Sequence, residues 1–244
     1  MPSELQPISP RETAVEACER QLRAAILAGE FPVGERLPAE RALAEQLGVN
    51  RVTVRGALGR LGASGLLRTR QGSGHVVNDF REVGGPELVA NLASLADAPD
   101  FCEIAADLLA VRRNLARGVL EKLAARAPLE VAPIAAAVER FAEVSARTSD
   151  PAELAVADLE VFGEIVAATG SVVLRLCLNP IAAALRNLPA LREAVYVDAS
   201  LNLAGYRALL TWLAEPDPAG VELLVAVLER GDNDTLQCLR EGAS

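Results

Sequence analysis

The chain has 244 residues, 51% of them hydrophobic but only 3% aromatic, which is enough length for two domains with separate cores built from Ala, Leu and Val. That mixture favours helices over sheets. The formal net charge of −9 excludes a generally basic nucleic-acid binder, and no apolar run approaches the ~20 residues that would span a membrane.

The N-terminal "MPSELQPISPRETAVEACER" is too acidic and polar for a signal peptide, so a cytoplasmic chain is expected. Cys18, Cys102, Cys177 and Cys238 form no CxxC pair and read as reduced thiols packed in helices. Charge is unevenly distributed. Residues 34–78 hold seven arginines against three glutamates, whereas residues 81–244 carry a net charge of −10. A locally basic surface on an acidic protein is the footprint of nucleic-acid binding, because arginine neutralises phosphates and releases counterions.

In chain order, "ETAVEACERQLRAAILAG" places Val15, Leu22, Ile26 and Leu27 on one helical stripe that stops at Gly29. "FPVGERLP" is a Pro/Gly-punctuated turn. "AERALAEQLGV" is a helix burying Leu43, Ala44 and Leu47, broken at Gly48, and "RVTVRGALGRLGASG" is a second one burying Val54, Ala57, Leu58 and Leu61. Helix, short glycine turn, helix is the helix-turn-helix pattern, whose second helix enters the major groove with its N-terminal residues on base edges. Those residues are Asn50, Arg51, Thr53 and Arg55, read as facing away from the apolar stripe. Gly56 and Gly59 each weaken this helix by ~1 kcal/mol relative to Ala, so its formation rests on tertiary packing. "LLRTRQGSGHVV" follows as a hairpin with its tip at Gln71, Gly72, Ser73 and Gly74. His75, the chain's only histidine, reads as a solvated residue of that wing.

"PAERALAEQLGVNRVTVRGALGRLGASGLLRTRQGSGHVV" resembles the winged helix-turn-helix of GntR-family bacterial transcription regulators. The resemblance implies that Arg41 and Arg51 read bases, that Asn50, Thr53 and Arg55 grip phosphates, and that Gly72, between Gln71 and Ser73, reaches the minor groove from the wing.

"NDFREVGGPELV" is polar and Gly/Pro-marked and reads as a linker. Beyond it the pattern is helical almost without break. Ile104, Leu108, Val111, Leu115, Val119 and Leu123 recur at helical spacing. Asp150 caps a helix that opens with Pro151 and stops at Gly170. Pro180 is expected to break or kink the next helix, Asp217-Pro218 to cap a later one, and "DNDTLQCLREG" to form a tail. Tyr206 and Trp212 read as bundle core. The fold class is therefore mainly α, with residues 1–78 a winged helix-turn-helix, 79–87 a linker and 88–244 an all-α bundle of about six or seven helices.

The helical part resembles the FadR/FCD subfamily through "LLAVRRNLA" and "DLEVFGEIVAATGS". Most members of that subfamily hold a divalent metal through an aspartate and three histidines. Here Asp158 is present, but Gly163 stands at the first histidine position, and Tyr206 and Asp232 align approximately with the other two. One carboxylate without imidazoles is no transition-metal site, so no metal and no cofactor are expected. The resemblance is closest to the metal-free, fatty-acid-responsive type, whose segment after the wing is also similar. It implies an effector such as a fatty acyl-CoA or another amphipathic anion held near Arg112, Asp158 and Tyr206. A salt bridge from Arg112 to an acid such as Asp158 is the other reading of that arginine, because an unpaired buried charge is costly. With no catalytic Ser, Cys or His constellation, the sequence points away from an enzyme. The expected protein is a homodimeric, ligand-responsive regulator on a two-fold DNA operator. Small carboxylates or sugar acids are the alternative effectors, and a ligand-independent DNA-binding protein is the other possibility.

Overall fold

The computed structural model describes residues 13–70, 74–83, 88, 101–126 and 129–242, which separate between Leu88 and Val89 into two units with distinct cores. In the first unit the Thr13 hydroxyl accepts from the Glu16 N–H while the Glu16 carboxylate accepts from the Thr13 N–H, and this box opens α1 (Ala14–Leu27). Helix α2 (Glu40–Leu47) ends at Gly48, whose φ of +64° is a left-handed conformation that glycine adopts without a Cβ penalty. That turn aims α3 (Arg51–Ala63) across α1 and α2. Leu22, Ile26, Leu43, Val54, Leu58, Leu61, Leu66 and Val77 close the core, as the apolar stripes require.

Gly56 lies on the seam between α1 and α3. A Cβ there would stand 3.3 Å from a Val15 methyl. The residue that weakens α3 locally thus lets α1 pack tightly against it.

Strands β1 (Leu67–Arg70) and β2 (Gly74–Val77) pair antiparallel, with Leu67 opposite Val77 and Arg70 opposite Gly74. Asn78 ties the wing base to the end of α3 by donating to the Gly65 carbonyl at 2.9 Å and accepting from Arg68 at 3.0 Å. The "FPVGERLP" segment is more than a turn. The Gly34 and Leu37 N–H groups donate to the Val77 and His75 carbonyls, and the Val77 N–H donates to Glu35, so residues 34–37 run beside β2 as an edge. Phe80 to Val83 form a short helix, α4, within the segment read as linker, and Phe80 packs on the first core.

The second unit contains seven helices among the described residues: α5 (Phe101–Ala124), α6 (Ala132–Arg147), α7 (Pro151–Ala168), α8 (Val172–Asn187), α9 (Pro189–Val195), α10 (Ala199–Ala214) and α11 (Pro218–Gly242). Asp150 caps α7 by accepting from the Ala152 N–H at 2.9 Å. Phe141, Ile134, Leu123, Leu154, Val161 and Leu178 form the centre of its larger core.

Of the break or kink expected at Pro180, the break does not occur: helix α8 continues through it with Leu178 and Ala184 buried on either side, packing that offsets the ~3 kcal/mol a helical proline costs. Two other expectations change. The "DNDTLQCLREG" segment is no separate tail, since α11 continues through Gly231 with Thr235 and Leu239 buried. Val111 is 52% exposed rather than buried, because the buried stripe of α5 passes from Leu108 through Arg112 to Val119.

Candidate nucleic-acid interface and buried polar site

Asn50 opens α3, and its side-chain oxygen accepts from the Thr53 N–H at 2.8 Å and from the Thr53 hydroxyl at 3.1 Å. Thr53 was expected to face away from the apolar stripe. It is instead 7% exposed and spends its hydroxyl on the cap, because a residue three positions into a helix points back toward its N-cap. The groups presented outward by the first turns of α3 are Arg51, Val52 and Arg55, all exposed. Arg51 makes no hydrogen bond or ion pair among the described residues. Arg55 instead grips the Glu40 carboxylate of α2 with two N–H groups, at 3.1 and 2.8 Å. The Arg55 guanidinium holds the Glu40 carboxyl below its ordinary range. Arg41 is exposed on α2 and paired with Glu45 at 3.0 Å. Gln71, Gly72 and Ser73 lie outside the described residues.

In the second unit, α5, α7, α9, α10 and α11 bring together a polar group in an otherwise apolar bundle. The Tyr206 hydroxyl of α10 donates to Asp158 of α7 at 2.7 Å. Phe141 meets the Tyr206 ring edge-on, with centroids 5.7 Å apart, and fixes its orientation. Burial pushes the Asp158 carboxyl above its ordinary value, with Tyr206, Tyr196 and Arg112 opposing the shift. Burial, reinforced by the Asp158 charge, raises both tyrosines so that each keeps its proton.

Arg112 is paired with Asp232 of α11 rather than with Asp158, and Arg113 donates to the other Asp232 oxygen. Asp232 is nearly fully buried, its side chain only 2% exposed, and burial raises its carboxyl despite the two guanidinium groups. The Arg112 Nε–H has no partner, and the O–H of Tyr196, a residue only 4% exposed, is directed at Asp158 without a well-formed hydrogen bond. Tyr196 had no signal in the sequence, because it sits just past a seven-residue helix that carries no motif.

These donors do not suit a divalent metal. Gly163 offers no side chain, and a Cβ there would meet nothing within 4 Å. Tyr206 is a protonated donor, and Asp232 is already held by two cations. Among the described residues no three His, Cys, Asp or Glu side chains stand together. The cysteines are all free thiols, and no described helix is long and apolar enough to cross a membrane.

Comparison with known proteins agrees with both halves of this architecture. Residues 14–77 match the family described as bacterial regulatory proteins, gntR family, and residues 107–230 match the FCD domain. The HTH-type transcriptional regulator Mce2R of Mycobacterium tuberculosis is 34% identical over 218 residues, 89% of each chain. The fatty acid metabolism regulator protein of Vibrio cholerae is 41% identical over 97 residues, 40% of this chain and 34% of that one. The solved structure titled "Lar controls the expression of the Listeria monocytogenes agr system and mediates virulence" shares the fold, with a TM-score of 0.64 at 16% identity, covering 96% of this chain and 99% of the other. A head matching gntR regulators, an FCD bundle behind it and a relative of nearly equal span lead to one assignment: this chain belongs to the GntR family of bacterial transcription regulators, and it is a regulator rather than an enzyme.

Proposed function

We propose that the chain works in the cytoplasm as a homodimer on a two-fold operator, with residues 1–78 as the DNA-binding head, 79–87 as linker and 88–244 as the effector-binding and dimerisation domain. One recognition helix covers one half-site, so a two-fold operator calls for two copies. Arg41 and Arg51 reach bases, Asn50, Thr53 and Arg55 hold the head on the phosphates, and Gly72, between Gln71 and Ser73, reaches the minor groove from the wing. For Thr53, whose N–H and hydroxyl both donate to Asn50, this contact passes through the Asn50 side chain.

The effector site is the cluster of Arg112, Asp158 and Tyr206, with Tyr196 added. The observation that carries this reading is a buried donor without an acceptor, Arg112 Nε–H, beside a Tyr196 O–H that faces Asp158 without closing a well-formed hydrogen bond. An unsatisfied buried donor costs about 1–3 kcal/mol, which an effector oxygen would recover. The effector is then an oxygen-bearing, amphipathic anion, and a fatty acyl-CoA is the first candidate. The Vibrio cholerae relative is named for fatty acid metabolism. The density of polar groups around Asp158 favours a second reading, a small carboxylate or sugar acid.

A chain-length series of acyl-CoAs and free fatty acids, titrated against operator-bound protein beside short hydroxy acids and sugar acids, separates the two. Each buried methylene contributes ~0.8 kcal/mol, so an acyl effector shows affinity that climbs with length until the site is full. Response to short acids alone removes the acyl reading. Response to none of them leaves a ligand-independent DNA-binding protein.

A further inference from the structure

Val52 is 76% exposed, more than any other large apolar side chain among the described residues. It stands one residue into α3, between the exposed Arg51 and Arg55, on the turn that a helix-turn-helix presents to base edges. Its polar neighbours have other employment. Asn50 and Thr53 are joined to each other in the cap, and Arg55 is clamped to Glu40. This leaves Arg51, which feels Glu40 only at coulombic range, and Val52 as the exposed side chains of the first turn that make no hydrogen bond or salt bridge among the described residues. An arginine reads the O6 and N7 of guanine, whereas two methyl groups cannot accept or donate a hydrogen bond or neutralise a phosphate. The one major-groove feature that suits them is the C5-methyl group of thymine.

We propose that Val52 is a specificity-determining residue that reads a thymine methyl in each operator half-site, next to the base pair read by Arg51. The proposal rests on the placement of α3 in the major groove and adds the base feature it recognises. It also accounts for an exposed valine amid arginines on a surface that is otherwise polar.

The test begins with an operator selected from a random duplex library by the full-length protein. Each thymine of that operator is then replaced singly by deoxyuridine, which removes only the 5-methyl group, and binding is measured for wild type and Val52→Ala at one salt concentration. At one thymine per half-site the replacement weakens wild-type binding about fourfold, the equivalent of one methylene-sized apolar contact. Val52→Ala binds the two duplexes equally well, and an operator selected afresh by this variant loses its thymine preference at that position. Because Val52 lies outside the core, the alanine variant keeps the fold, which an unchanged melting temperature verifies.

Deoxyuridine at every position affecting both proteins alike overturns the role of Val52. If Arg51→Ala still relaxes sequence preference in that case, the groove placement survives alone. A full-length protein that selects no sequence overturns both.

Discussion

Tyr206 donates its hydroxyl to Asp158 across 48 residues of sequence, and the carboxylate that accepts it is held above its ordinary pKa by burial. The bond lowers the cost of that burial without abolishing it. In the folded chain Asp158 therefore retains a proton that the unfolded chain has already released. The contribution of Asp158 to stability is greatest at pH below the ordinary carboxyl value, falls as pH rises from there through the raised folded value, and stays low above it. Asp158→Asn keeps an acceptor for Tyr206 and removes the charge. We expect this variant to melt higher than wild type at neutral pH, with the gap closing on acidification toward the ordinary carboxyl value. Parallel melting curves across that range would be incompatible with a buried, strained Asp158.

Asp232 is also raised by burial, but deleting its carboxylate has the opposite effect on stability. It lies between Arg112 and Arg113, and its removal leaves Arg112 without its carboxylate partner and Arg113 with only the exposed Glu229 at 3.7 Å. Asp232→Ala should cost about 3 kcal/mol, the low end for breaking a buried pair, because both arginines keep some contact with solvent. Denaturant unfolding of the variant and of Arg112→Met/Arg113→Met/Asp232→Leu distinguishes the cause. The triple apolar replacement should recover much of the loss.

In the head, Arg51→Ala and Asn50→Ala should fail differently. Arg51→Ala loses about 1–3 kcal/mol of discrimination at one base pair and leaves thermal stability unchanged. Asn50→Ala removes the α3 cap, costs ~1 kcal/mol of stability and weakens binding to all sequences alike. Footprinting on specific and random duplexes, paired with melting curves, reads both effects. Unaltered sequence preference in Arg51→Ala would remove this helix from the groove.

Divalent metals should have no effect. A ligand that binds the folded state raises its stability, so added Zn²⁺, Ni²⁺ or Mn²⁺, or a chelator, should shift neither melting temperature nor operator affinity. Stoichiometric metal in elemental analysis of purified protein would contradict the donor set around Asp158.

The two halves of the chain differ in how much of them the sequence reveals. The head is governed by local signals: Gly48 sets the turn, Asn50 the cap, and the apolar spacing of Leu43, Val54, Leu58 and Leu61 the core. Each acts within a few residues, so the helix-turn-helix is readable directly. Thr53 was misjudged because its type and position suit both a phosphate contact and a cap, and only burial separates them. The polar site joins Arg112 to Asp232, 120 residues apart, and Tyr206 to Asp158. Helical periodicity gives the face of each helix but not which helices meet, so it predicts an acid beside Arg112, such as Asp158, without deciding that Asp232 takes that place. Tyr196 enters only through the packing of α9.

The mutual bond between Asn50 and Thr53 has an entropic consequence for the encounter with DNA. The first turn of α3 is already stiff in the free protein, so its backbone has little freedom left to surrender on docking. The remaining ordering cost falls on the side chains that reach outward. A long arginine forfeits about 0.5–1.5 kcal/mol when immobilised, while a valine, with a single stiff torsion, forfeits little. Among the residues of that turn, the apolar one therefore arrives pre-set, and the arginine beside it bears most of the loss of motion.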